Sequence, residues 1–264
     1  MLIIWYHRKE RLGVQRILHD MNPAVKLAIV TGSVLVLALF FNPWTPLFFF
    51  IGIVVIQAFF SRIAWKRYVL FMLPFVITAA GYLWTTVVFA ADTEGPVIWS
   101  WAGIDVTAEQ WSRALSLAFR VLAFSSVSLL FAFTTDPVKF ALSLMQQLKL
   151  SPKLAYSMLV GYQFLPVLRE EFIQIRQAQR LRGIGTETGL LHRVRNIRRV
   201  LMPMLAGAVR KAERTAFAME ARGFTGEPRT VFFEPVPLTR TDAAMGMVFT
   251  GLLLASCIGG VNLS

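Results

Sequence analysis

Residues 27–61 form a run of 35 positions without a single Asp, Glu, Lys or Arg. No soluble core helix needs such a stretch; it calls for a bilayer. As one helix it would measure about 52 Å at about 1.5 Å per residue, far beyond a hydrocarbon core of about 30 Å. The run therefore folds back. Asn42-Pro43-Trp44-Thr45-Pro46 supplies the break, because proline lacks the amide donor and clashes inside a helix. The two legs, 25–41 and 44–60, sit near the short limit for a crossing.

Composition agrees with a lipid solvent. Charged residues make up 16% and hydrophobic residues 56% of the 264, against about 25% charged in an ordinary globular chain. Further spans are expected at 68–91, at 114–133, which contains only Arg120, and at 243–261. The charge-free stretch 154–168 is too short for a crossing and reads as an interfacial or buried helix. The fold class expected is an all-α, polytopic integral membrane protein with about five transmembrane helices and long amphipathic cytoplasmic coupling helices. No strand pattern stands out. Three regions result: 1–133 as an N-terminal membrane domain of four spans, 134–242 as cytoplasmic-side coupling helices, and 243–264 as a C-terminal transmembrane helix.

Orientation follows from the basic residues near span ends. Arg8, Lys9, Arg11, Arg16 and Lys26 precede the first span, and Arg62, Lys66 and Arg67 follow the second. Residues 92–113 instead carry Asp92, Glu94, Asp105 and Glu109 against Arg113. The N-terminus and 134–242 are thus expected in the cytoplasm and the C-terminus outside.

The region 134–242 holds 17 of the 27 basic residues, so the functional surface is expected there. Asp136-Pro137 and Ser151-Pro152 read as helix starts, each a capping side chain followed by proline at the first helical position. The helix from Pro152 is expected to reach about Arg182, with a kink at Pro166 and a stop at Gly183; another reaches Arg222 and stops at Gly223, with a kink at Pro203. Both turn from apolar (Met158, Leu165; Leu201, Leu205) to charged (Glu171, Arg176; Arg210, Glu213) along their length. Ala208, Ala212 and Ala216 recur every four residues, as a ridge for close helix approach or simply as good helix formers.

Both helices end alike, in Leu181-Arg182-Gly183 and Ala221-Arg222-Gly223. One such arginine is explained by the helix dipole. Two, at the tips of the longest helices, bring docking into competition, since a planar guanidinium binds carboxylates and carbonyls together.

Parts of an enzyme are missing. His7, His19 and His192 are scattered, Cys257 stands alone in an apolar stretch, and no phosphate-binding glycine loop is present. Hydropathy argues against a nucleic-acid partner, and the basic run around His192 and Arg193 reads as a solvated or anionic-lipid-facing patch. Arg120 has no acidic partner in another span and is read as snorkelling or binding backbone carbonyls rather than relaying protons.

Phe217-Ala218-Met219-Glu220-Ala221-Arg222-Gly223-Phe224, with Gln177-Ala178-Gln179-Arg180-Leu181-Arg182-Gly183 upstream, resembles the paired motifs of the transmembrane coupling component of energy-coupling factor transporters. Residues 18–27, from Leu18-His19-Asp20 through Asn22-Pro23 to Lys26-Leu27, are similar to that family's approach to its first span. Phe164-Leu165-Pro166 and Arg169-Glu170-Glu171 resemble the segment before the first motif. Two positions depart: Asn22 stands where Asp is common, and Leu181 replaces a small residue.

The resemblance implies a non-catalytic scaffold in a bacterial or archaeal plasma membrane, with no cofactor of its own. In it two ABC-type ATPases use ATP, a separate small hydrophobic membrane protein binds a vitamin or metal ion, and the scaffold couples them. Leu181, Arg182, Gly183, Ala221, Arg222 and Gly223 are the docking residues it implies. The alternatives are a stand-alone membrane enzyme or a conventional permease with its own translocation path.

Overall fold

An asparagine cap followed by proline starts the first long helix. The Asn22 side chain accepts a hydrogen bond from the Ala24 amide, and Pro23 needs no donor there. The computed structural model describes residues 17–40, 42–61, 65–88, 97–101, 104–183, 190–227, 232 and 234–262. Its helices are α1 (Ile17–Asp20), α2 (Pro23–Leu39), α3 (Trp44–Phe60), α4 (Trp65–Val88), α5 (Ala108–Thr134), α6 (Pro137–Gln147), α7 (Pro152–Leu181), α8 (Leu190–Ala221) and α9 (Arg240–Asn262). The protein is an all-α membrane protein with one local exception. Strands β1 (Val97–Trp101) and β2 (Ile104–Thr107) form an antiparallel hairpin before α5. The sequence reading had no strand there; Val97-Ile98-Trp99 and Ile104-Asp105-Val106-Thr107 are runs of β-formers too short to build a convincing alternation.

The chain divides into two compact units, Met1–Asp136 with Val236–Ser264, and Pro137–Pro235. In the first, α5 packs against α2, α3 and α4, and α9 packs against α2 and α3. Their shared core includes Leu37, Phe49, Ile53, Val127 and Phe249, with the free thiol of Cys257 as apolar filler. Helices α4, α5 and α9 are long and apolar enough to cross a membrane, whereas α2 and α3, at 17 residues each, are shorter apolar helices. The α4 helix buries only Tyr68, Met72 and Ala79, so most of its perimeter is free to meet lipid. Its buried hydroxyl is satisfied, Tyr68 Oη lying 2.8 Å from Ser126 Oγ on α5.

The turn between α2 and α3 is tied from two sides. Arg120 on α5 donates from Nη2 to the Phe40 carbonyl, the C-cap of α2. Asn42 donates from Nδ2 to the Gly260 carbonyl on α9. Arg120 thus binds backbone, one of the two roles expected for it. Gly260 itself has to be glycine, because a Cβ there would collide with Thr45 at the start of α3.

In the second unit α7 packs against α6 and α8. Ser151 caps α7 and Pro152 opens it, as the residue pair predicts. The charge-free stretch 154–168 is not a separate element; it is the first half of the 30-residue α7.

Candidate docking site

Each long helix of the second unit stops because a glycine takes the left-handed conformation after its arginine. Gly183 has φ 72° and Gly223 φ 78°, which costs glycine little and a side chain more. At the α8 end the Gly223 amide donates to the Glu220 carbonyl at 2.9 Å and the Phe224 amide to the Met219 carbonyl at 3.0 Å. This is the paired closure of a glycine-terminated helix. At the α7 end Arg182 is the C-cap, and the Gly183 amide donates to the Arg180 carbonyl at 3.0 Å.

With the backbone ends closed in this way, the side chains are left over. Leu181 is 91% exposed, and Arg182, Gly183, Ala221, Arg222 and Gly223 are all exposed. Among the described residues neither the Arg182 nor the Arg222 guanidinium has a hydrogen-bond or ion-pair partner. An arginine near a helix C-terminus can return to bond the last carbonyls. Neither does.

The two tips do not come together. Three contacts show that α7 and α8 run antiparallel. Gln179 Nε2 donates to the Arg199 carbonyl at 2.7 Å near the far end of α7, and Lys211 Nζ pairs with Glu171 Oε2 at 2.6 Å in the middle. At the near end Tyr156 and Phe224 meet edge to face, ring centroids 5.4 Å apart. Phe224 follows Arg222 directly past Gly223, so the α8 tip lies beside the start of α7. Leu181 lies about 25 residues further along α7, about 38 Å at about 1.5 Å per residue. The second unit thus carries an exposed arginine at each of two opposite ends of a helix pair.

The alanine ridge is not where the helices approach most closely. Ala212 and Ala216 are exposed and Ala208 is half-buried, whereas Gly207 is buried. A Cβ at Gly207 would meet the Glu171 carboxylate. The contact with α7 runs through Gly207 and Lys211, each one residue and about 100° of helix rotation away from the alanines. The alanines are helix formers on an open face.

That open face is more apolar than charge counting suggested. Leu154, Met158 and Leu165 on α7 are 53%, 51% and 57% exposed, and Leu201, Leu205 and Val209 on α8 are 39%, 56% and 57% exposed. Their spacings of four and seven residues make a stripe on each helix. The signal was present in the sequence as the apolar first halves of these helices; only the pairing of α7 with α8 shows which side stays uncovered. Phe217, 70% exposed and five positions before Arg222, extends the apolar surface toward that tip. Among the described residues no group of three or more His, Cys, Asp or Glu lies together to hold a metal ion.

Comparison with known proteins decides the family. Residues 14–231 match the model of the CbiQ family, described as cobalt transport protein. The chain belongs to that family. Its relatives include proteins named energy-coupling factor transporter transmembrane protein EcfT. One from Acidaminococcus fermentans is 32% identical, over 65% of this chain and 67% of the relative. One from Thermotoga maritima is 28% identical over 94% of this chain and 92% of its own length, and one from Limosilactobacillus fermentum 27% identical over 87% and 88%. The CbiQ match covers all of α2 to α8 and both arginine-glycine tips, so the resemblance drawn from the motifs holds at the level of the family.

Proposed function

We propose that the chain is the transmembrane coupling component of an energy-coupling factor transporter in a bacterial or archaeal plasma membrane. It joins two ABC-type ATPases to a small hydrophobic membrane protein that binds a vitamin or transition-metal ion, and it hydrolyses nothing itself. The observation that carries this reading is the pair of exposed, unpartnered arginines at opposite ends of α7 and α8. Two separated tips suit two separate ATPase subunits, and Arg182 and Arg222 anchor one each. Leu181 and Ala221 flank the anchors; Gly183 and Gly223 set the turns that present them. The apolar stripes on α7 and α8 suit a hydrophobic partner, the substrate-binding protein. The basic residues before the first span and after the second support a cytoplasmic N-terminus.

Purification of the tagged full chain from its native membrane tests the reading. Two ABC-type ATPase subunits and a small hydrophobic membrane protein are expected to accompany it, and the chain stripped of them is expected to show no ATP turnover. Recovery without any ATPase, or turnover by the chain alone, overturns it.

A further inference from the structure

Two stretches of chain connect the units, one leaving at Asp136–Pro137 and one returning at Pro235–Val236. On the first unit's side both are held by a single turn of α2. Lys26, 4% exposed, donates from Nζ to the Thr134 carbonyl at 3.0 Å and to Thr134 Oγ1 at 3.4 Å. Thr134 ends α5, just before the chain departs. Asn22, 2% exposed, donates from Nδ2 to the carbonyls of Val236 and Pro237 at 3.3 and 3.4 Å, where the chain has just returned. The Asn22 amide donates to Asp242 Oδ1 at 2.7 Å. The other carboxylate oxygen of Asp242, itself 2% exposed, accepts from the Thr239 amide and hydroxyl at 2.8 Å each.

Stability alone does not ask for this arrangement. Burying a charge is expensive, and an apolar residue of similar volume often serves a core as well or better. Here a buried cation and a buried anion each hold backbone: Lys26 donates to the Thr134 carbonyl and hydroxyl, and Asp242 accepts from the Asn22 and Thr239 amides and the Thr239 hydroxyl. Each charge fixes a stretch of backbone next to a unit boundary. Asn22 does this through two amide hydrogens that a carboxylate at this position could not supply.

We infer that Asn22, Lys26 and Asp242 are positioning residues that clamp both connections to the start of α2, so that movement of the second unit is delivered to the membrane helices at one fixed point. The inference rests on the coupling function proposed above. Without the clamp, ATP-driven movement is taken up by slack in the connections.

The experiment uses the assembled transporter carrying Lys26→Met, Asn22→Asp or Asp242→Asn, with uptake, ATP turnover and ATPase recovery measured at matched membrane levels. The expected result is ATPase recovery within about twofold of the unaltered complex, ATP turnover retained, and uptake reduced about tenfold, so that ATP consumed per substrate rises about tenfold. A purely structural role would lower the amount of complex and leave that ratio unchanged, and an unchanged ratio overturns the inference. Hydrogen exchange on the full chain in lipid nanodiscs provides a second arm without any partner. Asn22→Asp, which retains a helix cap, is expected to speed exchange at the amides of Thr239 and Asp242 and of the residues after Pro235 while the α3 core is unaffected; unchanged exchange also overturns it. Failure of the unaltered chain to recruit ATPases would instead count against the coupling function.

Discussion

The two units solve opposite problems with the same residue types. The first encloses a core built from four helices, and three of its buried polar residues are tied: Asn22, Lys26 and Asp242 are nearly inaccessible and hydrogen-bonded. In the second, the two long helices hide almost nothing. The 30 residues of α7 bury only Pro152 and Ala155, and on α8 the buried residues whose side chains are described are Val200 and Gly207. Leucines, Phe172, Phe217 and the arginines of both helix tips are left outside. Helices of this length held by so little burial gain little from packing within the chain, and exposed apolar stripes beyond what a monomer usually shows mark contact surfaces. The comparison teaches that the first unit closes around its own core, while the two long helices of the second keep open faces beyond their mutual contact.

That contrast is broken most severely at the arginines. Arg182→Ala or Arg222→Ala is expected to weaken ATPase association by about 2 kcal/mol or more, about thirtyfold, and the double change to abolish uptake. Arg222→Lys is expected to be impaired too, since it keeps charge and loses the planar fork. Were the arginines only complements to helix dipoles, each loss would cost about 0.3 to 1 kcal/mol and lysine would suffice. ATPase pull-down and uptake at matched membrane levels distinguish the two.

Next in size is the apolar face. Leu205→Glu with Val209→Glu places charges on exposed positions, so the chain is expected to fold and retain its ATPases while losing the substrate-binding protein by about tenfold or more in affinity, about 1.4 kcal/mol. Co-purification of the two kinds of partner measures this, and equal loss of both would show that the stripe serves the chain's own fold.

A smaller effect is expected from Gly223→Ala, which forces an alanine into φ 78° at a cost of about 1 kcal/mol. It should fray the last turn of α8 and lower ATPase affinity without touching Arg222 itself; Gly183→Ala should act in the same way on the other tip. Amide exchange of Gly223 and Phe224 in the first case follows the fraying. Smallest is Lys211→Ala. Its ion pair with Glu171 is 39% and 22% exposed, so solvent screening limits the loss to about 0.5 kcal/mol, read as a slight fall in thermal stability with partner binding unchanged.

What could be read in advance was whatever a local residue pair dictates. Asn42-Pro43 placed the turn between α2 and α3, Ser151-Pro152 the start of α7, and the two glycines the ends of α7 and α8. Other local signals act only in combination. Thr107 and Gln110 form a reciprocal cap, which starts α5 at Ala108 rather than at 114, and the short β-runs before it pair as a hairpin. Ala212 and Ala216 misled because spacing identifies a helix face without saying which face a neighbour occupies; Gly207 lies on the occupied one. The clamp was invisible for a different reason. Lys26 and Thr134 are 108 residues apart and Asn22 and Asp242 are 220 apart, and no periodicity links such partners before the helices are packed.

The central claim is that opposite ends of one helix pair hold two different ATPase subunits. With Cys257 replaced by Ser, cysteines placed at Leu181 and Ala221, which are exposed beside the two arginines, allow a bifunctional thiol-reactive crosslinker to trap what each tip touches in the assembled complex. Each single-cysteine chain is expected to yield an adduct with one ATPase, and the chain carrying both cysteines an adduct with two ATPase subunits at once. Capture of the same subunit by both tips, or of no ATPase by either, would contradict it.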